Sequence, residues 1–230
     1  MKTQQDFLAV VRQSLQLPTT SERDPGEFPD LMLSAFSVSP AAESTDNLLD
    51  ILQESCKRHN LTLHLVEDEE QAANLLVTLI NEADPEFHPS KHVILHRHPL
   101  LTGLKLWKRL EDDPVSVHIC MEGDDDCREK HEISSIGITV PECVVASHGT
   151  IIQQTGIGQP RSTSLLPSQH IAITREENIV STLELGYQKV KEMGWDNVVF
   201  ISGPSKTADI EAQLVFGAHG PRKMDLIIIR

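Results

Sequence analysis

The chain has 230 residues, 39% of them hydrophobic, which supports one sizeable core and argues for a single principal domain. With 34 acidic against 20 basic side chains, its net charge of −14 excludes a general nucleic-acid or anionic-membrane surface, because both need clustered Lys and Arg. The charge is uneven: residues 1–135 hold 12 basic and 25 acidic residues, whereas 136–230 hold 8 and 9, so the near-neutral second half suits a small anionic ligand.

In chain order, residues 3–17 form a short amphipathic helix and 18–40, with Pro18, Pro25, Pro29 and Pro40, are irregular. The apolar run at the start is broken by Asp6 and Arg12 and does not resemble a secretory signal. No run is apolar for long enough to span a bilayer, so a cytoplasmic protein without membrane insertion is expected. A helix over 42–58, a strand over 61–67, a helix over 68–82, a strand over 92–97, a helix over 100–110 and a strand over 114–120 follow. The acidic run Glu122–Asp126 is a solvated loop, since clustered carboxylates cannot be buried unpaired. Short strands are expected at 136–140, 143–146, 150–154 and 170–174. Ile179, Leu183, Gly186, Val190 and Met193 recur at helical spacing, with Asn178 as cap and Gly194 as stop. Strands at 197–201 and 224–229 flank one more helix, after Pro204. Strands alternating with helices predict an α/β fold with a mainly parallel sheet covered on both faces.

The stretch Gly203–Pro221 carries the most specific chemistry. A strand arriving at Gly203-Pro204 and a helix leaving it would place Ser205 and Thr207 as caps and Asp209 and Glu211 in the first turn. The same amides could instead hold a ligand anion. Lys206 follows Ser205 rather than a glycine, which excludes the phosphate loop of nucleotide hydrolases. At the second turn His219 either caps the helix or handles a substrate proton, beside Gly220. Between Ser147 and His170, Gly149, Thr150, Arg161, Ser162, Thr163 and Ser164 read either as a decorated hairpin or as a carboxylate or phosphate site anchored by the Arg161 guanidinium.

His92, His96 and His98 share one face of a strand, with His88 nearby, but no carboxylate or cysteine stands at ligand spacing, so no metal is assigned. Cys56, Cys120, Cys127 and Cys143 are separated by 64, 7 and 16 positions, which matches neither a CxxC pair nor a zinc ribbon and reads as free thiols. The spacing also excludes a ferredoxin-type iron–sulfur cluster carried by this chain alone. No GxSxG elbow or dinucleotide fingerprint is present.

The segments SHGTIIQQTG, RSTSLLPSQHIAI, GPSKTADIE and LVFGAHGP, in that order, resemble the LUD domain of the lactate utilization protein C family. The resemblance covers residues 130–230 by motif. It implies a fold similar to the NagB, ribose-5-phosphate isomerase and CoA-transferase group, with 41–230 as the LUD domain and 1–40 as a separate N-terminal segment. It also implies a part in oxidising L-lactate to pyruvate with two iron–sulfur partner proteins, and leaves open whether this chain is itself catalytic. The alternative is a stand-alone binding or transfer enzyme for a phosphosugar, nucleotide or acyl-CoA. One departure is visible: Ser147-His148-Gly149-Thr150 stands where the family often reads Glu-Thr-Gly-Thr, so His148 is a candidate to replace the missing acid. The expected site is therefore His219 and His148 for proton handling, with Gly149, Thr150, Arg161, Ser164, Gly203, Pro204, Ser205, Thr207 and Gly220 around the ligand.

Overall fold

A computed structural model describes residues 45–119, 127–208, 214–216 and 220–230. The expected N-terminal helix, the acidic run Glu122–Asp126, Asp209, Glu211 and His219 lie outside the described residues. The first element is α1 (Thr45–His59), followed by β1 (Thr62–Val66), α2 (Glu69–Glu82), β2 (Lys91–Leu95), α3 (Pro99–Leu104), α4 (Leu106–Arg109) and β3 (Val115–Ile119). Then come α5 (Cys127–Ile133), β4 (Ile136–Thr139), β5 (Cys143–Val145), β6 (Thr150–Gln154), α6 (Ser162–Leu165) and β7 (Gln169–Arg175). The last are β8 (Ile179–Val180), α7 (Leu183–Glu192), β9 (Val198–Ile201), β10 (Lys206–Ala208), β11 (Leu214–Phe216) and β12 (Lys223–Ile229).

Six strands form a parallel sheet in the order β1-β12-β7-β4-β2-β3. Its central members are buried on both faces, which is why β12 reads Leu226-Ile227-Ile228-Ile229 without polar interruption. The edges β1 and β3 keep exposed or half-exposed positions. One face packs Val93, Leu95, Ile138, Ile171, Ile173 and Ile227 against α2, α3 and α4. The other packs Ala172, Met224, Leu226 and Ile228 against Leu52 and Cys56 of α1 and against Val144 and Ile151 of a second, mixed sheet ordered β8-β5-β6-β9. Helix α7 closes the far side of that second sheet: a Cβ on Gly186 would lie 2.6 Å from Ile152 Cδ1, so only glycine allows this approach.

Capping explains the helix starts. Asp68 accepts from Gln71 N at 2.8 Å, as its place before an amphipathic run predicts. The helix expected from Ile179 instead starts at Leu183 under a Thr182 cap, because Ile179 and Val180 pair with Val144 and Val145. Two β-branched side chains cost little in a strand and more in a first helical turn. The helix expected over 100–110 is divided at Lys105, whose φ of 51° is left-handed. Helix α5 carries no long apolar stripe and was not expected.

The largest correction falls at Gly203–Pro221. The segment after Pro204 is not a helix: Lys206–Ala208 pairs antiparallel with Leu214–Phe216. Helical propensity there gives way to cross-strand hydrogen bonds. The thiols need a second correction. Cys56 and Cys143 are buried and free, but Cys127 is disulfide-bonded. Separation in space, not along the chain, decides whether two thiols can be bridged.

Candidate functional site

The four motif segments meet on the face of the parallel sheet that carries the second sheet. Gly149, with φ of 58°, lies against α1, where a Cβ would be 3.3 Å from Ser55 C and Cys56 N. Next to it, Ser55 Oγ donates to Ser147 O at 3.0 Å. Thr150 Oγ1 is 2.8 Å from Ser202 Oγ, which joins the first motif to the third. Gly203 (φ 90°) packs so closely on the end of α1 that a Cβ would be 2.5 Å from His59 O. Pro204 is buried, and Ser205 N donates to Pro221 O at 2.8 Å. A Cβ on Gly220 would touch Ser205 Cβ at 3.3 Å and Leu165 O at 3.6 Å, so the second and fourth motifs meet there too.

Other expected residues serve differently. Without a helix after Pro204, Ser205 and Thr207 are not helix caps, and the amide cradle expected from a helix N-terminus does not form. Arg161 is exposed and its Nη2 donates to Asn197 Oδ1 at 2.8 Å, while fully buried Ser164 donates to Arg161 O at 3.0 Å. His148 is exposed, with Nδ1 2.7 Å from Ser147 Oγ. It also adds to the causes that hold the Glu184 carboxyl below its ordinary range, after hydrogen bonds from Glu184's own backbone and from Thr182.

Sequence reading missed a buried imidazole–amide cluster between the two sheets. His96 follows β2 at its carboxyl end, and its backbone N donates to Ile138 O of neighbouring β4. From β2 the chain passes to β3 at one edge, whereas from β4 it passes to β7 and β12 toward the other. Open α/β sheets bind ligands at the carboxyl ends of strands where connections diverge in this way. His96 Nε2 lies 3.4 Å from both Gln153 Nε2 and Pro160 O. His170 Nε2 lies 2.8 Å from Thr139 Oγ1, and His131 bridges Cys127 O and Thr163 Oγ1. Burial pushes the His96 imidazolium down to about 4 and the His170 imidazolium down to about 3, each further opposed by neighbouring histidine charge. Both rings are neutral at physiological pH. Three atoms on these fully buried side chains have no hydrogen-bond partner: His96 Nδ1, Gln153 Oε1 and His170 Nδ1. Alternation around His92 placed His96 on one face of its strand, but only the fold could bring Gln153 to it.

Three other histidines form a separate chain. His92 Nδ1 is 2.8 Å from His118 Nε2, and His92 Nε2 is 3.0 Å from His88 Nδ1. Because His92 uses opposite ring atoms, the three imidazoles do not converge, and among the described residues no group of His, Cys, Asp or Glu is placed to hold a metal ion. Nor, among them, is any helix long and apolar enough to cross a membrane.

A parallel α/β sheet backed by a small mixed sheet, with separated glycine-rich motifs gathered on it, defines the class of the domain as α/β. The profile of the LUD domain matches residues 49–229, and the chain belongs to the LUD domain family. It is 31% identical to lactate utilization protein C of Halalkalibacterium halodurans over 205 residues, 84% of this chain and 86% of that one. The protein of the same description from Shouchella clausii is 29% identical over an alignment of 241 positions covering 100% of this chain and 98% of that one. A crystal structure of a DUF162 family protein from Deinococcus radiodurans shares the fold, with a TM-score of 0.57 at 18% identity over 82% of this chain and 99% of that chain.

Proposed function

We propose that this chain is the lactate utilization protein C-type component of a cytoplasmic system that oxidises L-lactate to pyruvate together with iron–sulfur partner proteins. The observation that carries the proposal is similarity to proteins of that description along essentially the whole chain. The cysteines support a division of labour in which clusters reside in partners: Cys56 and Cys143 are desolvated core thiols, and burial pushes Cys56 up to about 12. Such thiols do not supply the thiolates a cluster needs. The ligand face is formed by Gly149, Thr150, Ser164, Gly203, Pro204, Ser205, Thr207 and Gly220. Arg161 is the anchor for a carboxylate, and His148, which is exposed, and His219 are the candidates for proton handling. The rival reading, a stand-alone enzyme for an anionic metabolite, drew on amides of a helix after Pro204 and on Arg161; the residues after Pro204 form a strand, so the first of these supports is withdrawn.

The test is purification of the tagged full chain from its own cells. Co-purifying proteins with iron–sulfur absorption, together with L-lactate-dependent reduction that disappears when the chain is depleted, are expected. Normal lactate oxidation in cells lacking the chain would sink the proposal.

A further inference from the structure

We propose that His96 and Gln153 form an internal binding site for one uncharged oxygen, the hydroxyl or carbonyl at carbon 2 of a small 2-hydroxy- or 2-oxo-carboxylate. The choice of ligand class rests on the lactate reading above; the site itself rests on geometry. If the Gln153 amide donates to His96 Nε2, the ring proton sits on Nδ1, leaving an unmet donor there and an unmet acceptor at Gln153 Oε1. If the amide is turned about, Nε2–H donates to the amide oxygen and to Pro160 O, and Nδ1 becomes the unmet acceptor beside an unmet amide donor. Either arrangement leaves one donor and one acceptor to be filled inside a fully buried pair. A carbon-2 hydroxyl complements both, whereas a carbon-2 carbonyl complements the donor alone.

The surroundings set how such a ligand must lie. Neutral rings and an amide suit an uncharged oxygen, whereas a carboxylate inside would lose its hydration without gaining a cation. The carboxylate therefore faces the Thr155–Arg161 loop, whose Pro160 carbonyl lies against His96. Gly158, with φ of 76°, lies in that loop; its carbonyl accepts from Arg97 N at 2.8 Å, and the exposed Arg97 side chain runs along it. Arg161 stands at the loop's end, and its bond to exposed Asn197 is one that a carboxylate could replace. His170, whose Nδ1 is also orphaned, lies near enough for its charge and that of His96 to oppose each other. It keeps the surroundings of the pair polar without contributing charge.

The test uses the full chain with ¹⁵N-labelled histidine, observed by ring-nitrogen NMR in the presence of L-lactate, pyruvate or propionate. Lactate and pyruvate are expected to shift the His96 Nδ1 signal, and propionate, which lacks the carbon-2 oxygen, is not. Equal responses to all three, or none, would overturn the site and assign the orphaned atoms to water. Gln153→Met keeps the volume and removes the amide, so it should hold or raise Tm while weakening lactate binding at least tenfold. A fall in Tm with unchanged binding would make the amide structural and also overturn the proposal. The two readings fail separately: lactate oxidation by the assembled system with silent His96 signals removes only this site. A response to pyruvate in a chain not needed for lactate growth supports the site and removes only the pathway role.

Discussion

Acid should unfold this protein through its buried imidazoles before its carboxylates titrate. His96 and His170 have folded-state values pushed down to about 4 and about 3 from an ordinary 6.5. A histidine depressed on folding takes its proton first in the unfolded chain. Stability is therefore fully present above 6.5 and is lost as pH falls toward the folded values. Between about pH 8 and pH 5, each ring costs about 2 kcal/mol, and the pair about 4 kcal/mol. That is a large share of the roughly 5–15 kcal/mol by which domains are stable. His92, His98 and His131, also lowered by burial, act in the same direction. Glu142, raised by burial, opposes the trend only nearer its own range. Urea denaturation at fixed temperature measures the effect: with a slope of about 2–3 kcal/mol per molar, the midpoint should fall by roughly 1.3–2 M between pH 8 and 5. A midpoint constant to within about 0.3 M would refute the reasoning, since the rings would then have to be hydrated or charged in the folded state.

Two substitutions test the packing of α6 on β4. At Gly137 a Cβ would lie 1.8 Å from Thr163 O, so Gly137→Ala should push α6 off β4 and cost about 3 kcal/mol or more, lowering Tm by roughly 6–12 °C in thermal denaturation. Gly156→Ala, with nothing within 4 Å, is the control and should stay within about 0.5 kcal/mol; similar losses for both would remove the contact as the cause. Arg161→Ala deletes only an exposed hydrogen bond to Asn197 and should change stability by about 0.5 kcal/mol or less, so weaker lactate binding by calorimetry would report an anchor rather than a folding defect.

Local chemistry made much of the fold legible. The β-branched runs at 136–140, 170–174 and 224–229 and the Asp68 cap point to elements found within a few residues of where they were expected. Those signals are internal to each segment, and patterning alone suffices for them. The four motif segments were likewise visible, and so was the family they resemble. The sequence by itself thus determined the α/β class, the central strands and the segments that carry the family resemblance.

Only tertiary structure decided the rest, because the deciding partner lies far along the chain. Ile179 and Val180 suit the helical spacing that follows them, yet Val144 and Val145 recruit them into a sheet. The residues after Pro204 could cap a helix, yet Leu214–Phe216 draws Lys206–Ala208 into a strand. His96 and Gln153 carry no mutual signal across the 57 positions between them. Folding buries both, holds the imidazole neutral and leaves their polar atoms unmet, a state set by what surrounds two side chains rather than by what precedes and follows them.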